Sequence, residues 1–117
     1  MTQTHEPASL PFCYLTTTGR RTGNPHRIEI WFALAEGTVY LLSGGRDRSD
    51  WVRNLMRSPE VVIELGGQVR ATTARVLEAG TADDLLARRL LVEKYRSPDD
   101  DLATWGRTSL AVAAAWP

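Results

Sequence analysis

Cysteine, histidine and lysine are scarce in this sequence, and each scarcity removes a class of function. Its 117 residues include one cysteine, Cys13, and two histidines, His5 and His26. A single thiol forms no internal disulfide. With no His-x-x-x-His and no Cys/His cluster, a zinc ion has no ligand set, so no metal site is expected. Cys13 sits in an apolar run with Leu10, Phe12, Tyr14 and Leu15 and reads as a small buried filler. His5 lies in a polar tail and His26 at a strand start, so both read as solvated surface residues. The Gly-x-Ser-x-Gly elbow of serine hydrolases is absent, as are the Walker and dinucleotide glycine patterns. No apolar run approaches the roughly 20 residues of a membrane span. The opening "MTQTHEPASLP" lacks the basic start and apolar centre of a signal peptide. The expectation is a cytoplasmic protein with no stable membrane insertion. An enzyme with so few acids, bases and metal ligands takes its chemistry from a cofactor.

What is present suits one soluble domain spanning 1–117, with a polar, loose segment at 1–9. Hydrophobic residues make up 43% and charged residues 24%, ordinary for a globular chain of this length. The formal net charge is zero, which argues against a nucleic-acid binder. The charge is unevenly spread, however. Residues 20–57 carry arginines at 20, 21, 27, 46, 48, 53 and 57 against only Glu29, Glu36, Asp47 and Asp50. Lys94 is the only lysine, so nearly every cation is the planar fork that suits phosphate and carboxylate. A GC-rich genome writing Arg for Lys would give the same bias.

Hydrophobic periodicity divides the chain into short elements. Residues 10–18 read as a first strand, and "HRIEIWFALA", 26–35, as a second whose first half alternates. Glu36-Gly37 is a hairpin signal, and "TVYLLS", 38–43, returns from it. A glycine loop at 43–45 leads to a short helix that Ser49 caps, with Trp51, Val52, Leu55 and Met56 on one stripe, stopped by Ser58-Pro59. Strands follow at 61–65 and 68–77 around Gly66-Gly67. Thr81 with Asp84 starts a helix that runs to about Arg96, its apolar side Leu85, Leu86, Leu90 and Leu91. "SPDDD", 97–101, is a loop, and "TSLAVAAAW" from Thr108 reads as a last strand, its alanines also compatible with a helix. Short turns make most pairings antiparallel, and about six short strands cover their edges by closing on themselves. The fold class is mainly β, a small barrel with two helices.

Three segments are suited to holding an anionic cofactor. Arg20 and Arg21 sit between Gly19 and Gly23, where backbone N–H groups and guanidinium forks converge on a phosphate. "SGGRDRS", 43–49, brings Gly44 and Gly45 for close approach, Arg46 and Arg48 for charge, and a helix start beyond. On that helix Trp51 and Asn54 place an aromatic face and an amide one turn apart. Taken alone, each segment reads better as a structural feature, an arginine-bearing hairpin, a glycine loop and a core tryptophan; taken together they favour an anion site.

"LTTTGRRTGNP", then "SGG", then "WVRNLMRSPEV" resembles the deazaflavin-dependent nitroreductase family of split β-barrel oxidoreductases. The motifs occur in order, and the likeness is closest over residues 14–65. The resemblance implies a split β-barrel of about six antiparallel strands that binds coenzyme F420, an 8-hydroxy-5-deazaflavin with a phosphodiester and an oligoglutamate tail. It implies that Thr18, Gly19, Arg20 and Arg21 hold the tail. Ser43, Gly44 and Gly45 would then lie beside the deazaflavin headgroup, with Arg46 and Arg48 supplying the loop's missing lysine, and Trp51 and Asn54 would border the same pocket. Tyr95 matches a tyrosine on the substrate side, and Ser43 or Tyr95 would relay a proton, solvent being the alternative donor. The segment "KYRSPDDDLATW" has one tyrosine where nitro-reducing relatives have several, so nitroreductase activity itself is not implied. The expected activity is hydride transfer from reduced F420 to a small electron-poor acceptor: a quinone, enone or nitro compound. The rivals are an FMN-dependent reductase on the same fold and a non-catalytic coenzyme-binding barrel. A homodimer is compatible, with Trp105 or Trp116 as anchors.

Overall fold

In a computed structural model that describes residues 7–116, seven strands form one antiparallel sheet in the order β2-β1-β5-β6-β7-β4-β3. The strands are β1 (Cys13–Thr18), β2 (Pro25–Ile30), β3 (Ala33–Ala35), β4 (Thr38–Ser43), β5 (Glu60–Leu65), β6 (Gln68–Val76) and β7 (Leu110–Ala115). Helix α1 (Asp50–Arg57) follows β4, α2 (Ala82–Tyr95) follows β6, and α3 (Ala103–Thr108) precedes β7. The segment expected to be loose lies outside the described residues over 1–6, and Pro7–Ser9 form a 3₁₀ turn.

β2 and β3 stand at opposite ends of the strand order, yet only Trp31 and Phe32 separate them in the chain. Three Cα–Cα steps span at most about 11 Å. The sheet must therefore curl until its two edges meet, which makes it a split barrel. The seam also explains why seven strands replace the expected six: the run 26–35 breaks in two at Trp31-Phe32. A broken ladder orphans backbone groups, and here side chains take them up. The Tyr95 hydroxyl accepts from the Phe32 N–H at 3.1 Å and lies 3.1 Å from its carbonyl, which also accepts from Lys94 Nζ at 3.0 Å.

β6 turns the other corner. Gln68–Thr73 pair with β5, whereas Ala74–Val76 pair with β7. β4 is buried along nearly its whole length because both its faces are covered. Val39 and Leu41 join the barrel interior with Leu15, Phe32, Ile63 and Val112. Tyr40 and Leu42 face outward beneath α2, against Ala87, Leu91, Ala111 and Ala113. The alanines of β7 belong to a strand; their small side chains admit the helix close to the sheet.

The helices depart from the expected patterns in instructive ways. On α1 the buried residues are Val52, Asn54 and Leu55, while Met56 is exposed, so an amide occupies a place in the apolar stripe. On α2 the hydroxyl of Thr81 accepts from the Asp84 N–H, the expected cap, but Leu85 faces solvent and Ala87 takes the buried place. A third helix, α3, forms between the expected loop at 97–101 and the last strand, which starts at Leu110 and not at Thr108. Gly106 brings it against α2, since a methyl there would stand 2.4 Å from a Val92 methyl. Both expected tight turns use left-handed backbone: Glu36 and Gly37 in one, Gly66 and Gly67 in the other. Trp105 and Trp116 are half-buried within the protomer, Trp116 beneath the Arg70 guanidinium.

Candidate functional site

The connection from β1 to β2 arches over the start of α1 and encloses a cleft of about 500 Å³. Of the residues singled out from sequence, Gly19, Arg20, Arg21, Trp51 and Asn54 line it together. Thr17 contributes in place of Thr18, because β1 alternates and Thr17 is the buried neighbour. Asp50, Thr22, Asn24, His26 and Ile28 complete the wall. Register was the missing signal for His26, which lies opposite Thr17 in the β1–β2 ladder.

The two arginines are not equivalent. Arg20 donates from Nη1 to Asn54 Oδ1 at 2.9 Å and from Nη2 to Asp50 Oδ1 at 3.1 Å. Its backbone N–H donates to the same Asn54 oxygen at 3.2 Å, and Asn54 Nδ2 donates to Thr17 Oγ1 at 3.1 Å. Asn54 is buried because it is the bolt of this network. Arg21 is exposed, lines the cleft, and its guanidinium has no partner among the described residues. The turn's amides are largely used internally: Gly19 N–H donates to Asn24 O, Gly23 N–H to Gly19 O, and Asn24 N–H to Thr22 Oγ1. The turn therefore presents guanidinium groups to the cleft more than a cradle of free amides.

The glycine loop stands apart from the cleft wall. Ser43 is buried; its hydroxyl donates to Arg46 O at 2.9 Å or shares a proton with Ser49 Oγ at 2.7 Å. Ser49 occupies the N-cap position of α1 but makes no capping hydrogen bond, since its hydroxyl is turned to Ser43. Gly44 packs on Trp105, and Gly45 precedes a 3₁₀ turn that carries Arg46 and Arg48, both exposed. Tyr95 is absent from the cleft. Its hydroxyl is bonded to Phe32 and to Pro11 O at 2.9 Å, and burial raises its pKa. Neither Ser43 nor Tyr95 holds a hydroxyl proton free of existing partners.

Two further titratable groups flank the seam. Burial pushes the Cys13 thiol up to about 12, and it lowers the Lys94 ammonium to about 8. Among the described residues no three His, Cys, Asp or Glu side chains converge on a point, and no helix is long and apolar enough to cross a membrane.

The lining of the cleft has an excess of positive charge. Two guanidinium groups and one carboxylate line it, Arg20 is paired with that carboxylate, Arg21 is unpaired among the described residues, and an indole completes the lining. The family model for F420H(2)-dependent quinone reductase matches residues 2–115. Among solved structures, an F420-H2-dependent reductase (FDR-A) is 24% identical, with a TM-score of 0.71 over 89% of this chain and 93% of that one. A chain described as a domain-swapped dimer is 23% identical, with a TM-score of 0.72 over 89% and 79%. A pyridoxamine 5'-phosphate oxidase-like chain from Listeria innocua is 13% identical, with a TM-score of 0.67 over 93% and 86%. At such identities these structures establish the split-barrel fold. The match along nearly the whole chain establishes more: the protein belongs to the F420H(2)-dependent quinone reductase family and is an F420-dependent reductase.

Proposed function

We propose that the enzyme reduces a small electron-poor acceptor, a quinone in preference to an enone or nitro compound, and that the cleft beneath the β1–β2 turn holds the anionic tail of F420. The single observation that carries the placement is Arg21: an unpaired guanidinium on a cleft rim, held there by a turn that Arg20 fastens to α1. Reduced F420, when bound, supplies a hydride.

The protein's own residues orient and bind. Arg21 pairs with phosphate or carboxylate, Arg20 and Asn54 fix the turn, and Trp51 supplies an apolar wall. Ser43 sets the end of β4 and the loop after it through Arg46 O and Ser49 Oγ. The acceptor gains two electrons and one hydrogen, and the anion that results takes its proton from solvent. Solvent is favoured because the Ser43 and Tyr95 hydroxyls are already committed. A cytoplasmic homodimer belongs to the same proposal, supported by the domain-swapped relative; sedimentation of the purified protein tests the assembly.

The experiment is a titration of the protein with oxidised F420 and, in parallel, with FMN, read by quenching of tryptophan emission. F420 binding that weakens in Arg21→Ala supports the placement. Binding of FMN alone keeps the fold and replaces the coenzyme, and binding of neither ends the proposal.

A further inference from the structure

A recess of about 290 Å³ opens between the 3₁₀ turn at Pro7–Ser9, β3 and the C-terminal half of α2. Ala8, Ala33, Leu34 and Leu90 make its walls apolar, and Glu93 and Lys94 are its charged members. Lys94 is the only lysine in the chain, and it takes no part in the arginine cleft.

The amine is held without a counter-charge. Nζ donates to Phe32 O at 3.0 Å and stands 3.6 Å from the centroid of the Phe32 ring, with the Tyr95 ring centroid at 5.1 Å. Among the described residues it forms no ion pair with a carboxylate. One of its three donors therefore has a protein partner. Its titratable neighbours are Glu93 in the same lining, Tyr95 next to it in the chain, and Cys13 on β1. Burial lowers its pKa to about 8, with Cys13 acting in the opposite direction. A sizeable share of the amine is then neutral near pH 7.5, and a neutral amine is a nucleophile.

We propose that Lys94 Nζ is a covalent capture site for short aliphatic aldehydes, held as an iminium with the alkyl chain in this recess. The nitrogen lone pair adds to the carbonyl carbon, and the carbonyl oxygen leaves as water with two hydrogens that were on nitrogen. No electrons are exchanged, and water reverses the step. One N–H and the positive charge remain, so the bond to Phe32 O and the contact with its ring are kept. That conservation separates aldehydes from acylating agents, because an amide keeps an N–H but loses the charge over the ring. Leu34 and Leu90 give an alkyl chain an apolar wall. The proposal stands apart from the reductase reading and places a reversible modification at the seam that closes the barrel.

The test incubates the full chain at pH 7.5 with formaldehyde, propanal or pentanal and with sodium cyanoborohydride, which reduces an iminium to a stable secondary amine. Nα-acetyl-lysine methylamide is present as an external amine, and peptide mass spectrometry locates and counts the product. Lys94 is expected to react at least about tenfold faster than the external amine, which is almost wholly protonated at this pH. That advantage should grow from formaldehyde to pentanal. In Leu90→Gln, a change at a half-buried position, the growth with chain length should disappear while the advantage with formaldehyde stays. A Lys94 rate equal to that of the external amine, product confined to the α-amino group, or an advantage indifferent to chain length in the native sequence overturns the proposal. Growth that survives in Leu90→Gln places the chain outside this recess and overturns it as well.

Discussion

Asn54 Oδ1 accepts two hydrogen bonds from Arg20, one from the backbone N–H and one from the guanidinium, across 34 residues of sequence. The amide thereby fastens the β1–β2 turn to α1, and its own Nδ2 reaches Thr17 inside the barrel. A dipeptide of adjacent arginines is divided by this bond into a fastener and a free hand.

Arg20 and Arg21 are therefore expected to fail differently when truncated. Arg21→Ala should leave the melting temperature unchanged and weaken F420 binding by about 1.5–3 kcal/mol, one charged hydrogen bond. Arg20→Ala should lower both the melting temperature and the affinity. Equal effects of the two substitutions on both readouts would contradict the division of labour.

Asn54→Ala leaves the buried Thr17 hydroxyl and the Arg20 N–H without their shared partner. Chemical denaturation should report a loss of about 1–3 kcal/mol, the cost of stranding buried polar groups. An Asn54→Asp variant keeps the acceptor for Arg20 and is expected to retain the turn while losing the donor to Thr17.

Gly106→Ala places a methyl 2.4 Å from a Val92 methyl and should destabilise the protein by about 1–3 kcal/mol. Adding Val92→Ala opens the space and should recover part of the loss. A double-mutant cycle with no coupling between the two positions would show that α3 does not rest on α2 at this point.

Cys13 is 1% exposed, and burial raises its pKa from 9.0 to about 12. Iodoacetamide at pH 8 should therefore leave the native protein unmodified and label it rapidly once urea unfolds it. Labelling of the folded protein at the rate of a free thiol would show that the barrel interior opens.

Lys94 carries a pKa lowered from 10.5 to about 8, mainly by burial. Between those values the unfolded chain binds more protons than the folded one, so stability gained from this residue rises as pH increases through the window. Below pH 8 the full cost of the buried ammonium is present in the fold. The stability of the native sequence relative to Lys94→Met should accordingly improve between pH 8 and 10.5. A difference that stays flat or declines over that window would show that the ammonium is not penalised by its surroundings.

Local chemistry by itself determined much of this molecule. Alternation and turn residues set β1, β4, β5 and β6, and the Glu36-Gly37 and Gly66-Gly67 hairpins need positive φ, which their compositions permit. Thr81 with Asp84 marks the start of α2 from its own hydroxyl. The arginine pair between two glycines drew notice because its composition is unusual for a turn, and both arginines line the cleft.

Long-range contact decided the rest. Nothing within 26–35 announces a break at Trp31-Phe32; it exists because Tyr95 and Lys94, more than sixty residues later, take up the backbone groups that the interrupted ladder leaves behind. Helical spacing put Asn54 one turn from Trp51 and could not show that Arg20 would bond to its amide. It likewise could not set Trp31 against Trp105, since the break after β2 and helix α3 meet only when the sheet closes. Hydrogen bonds and stacking act over a few ångströms of space, so their partners are named by the curl of the sheet and not by their separation along the chain.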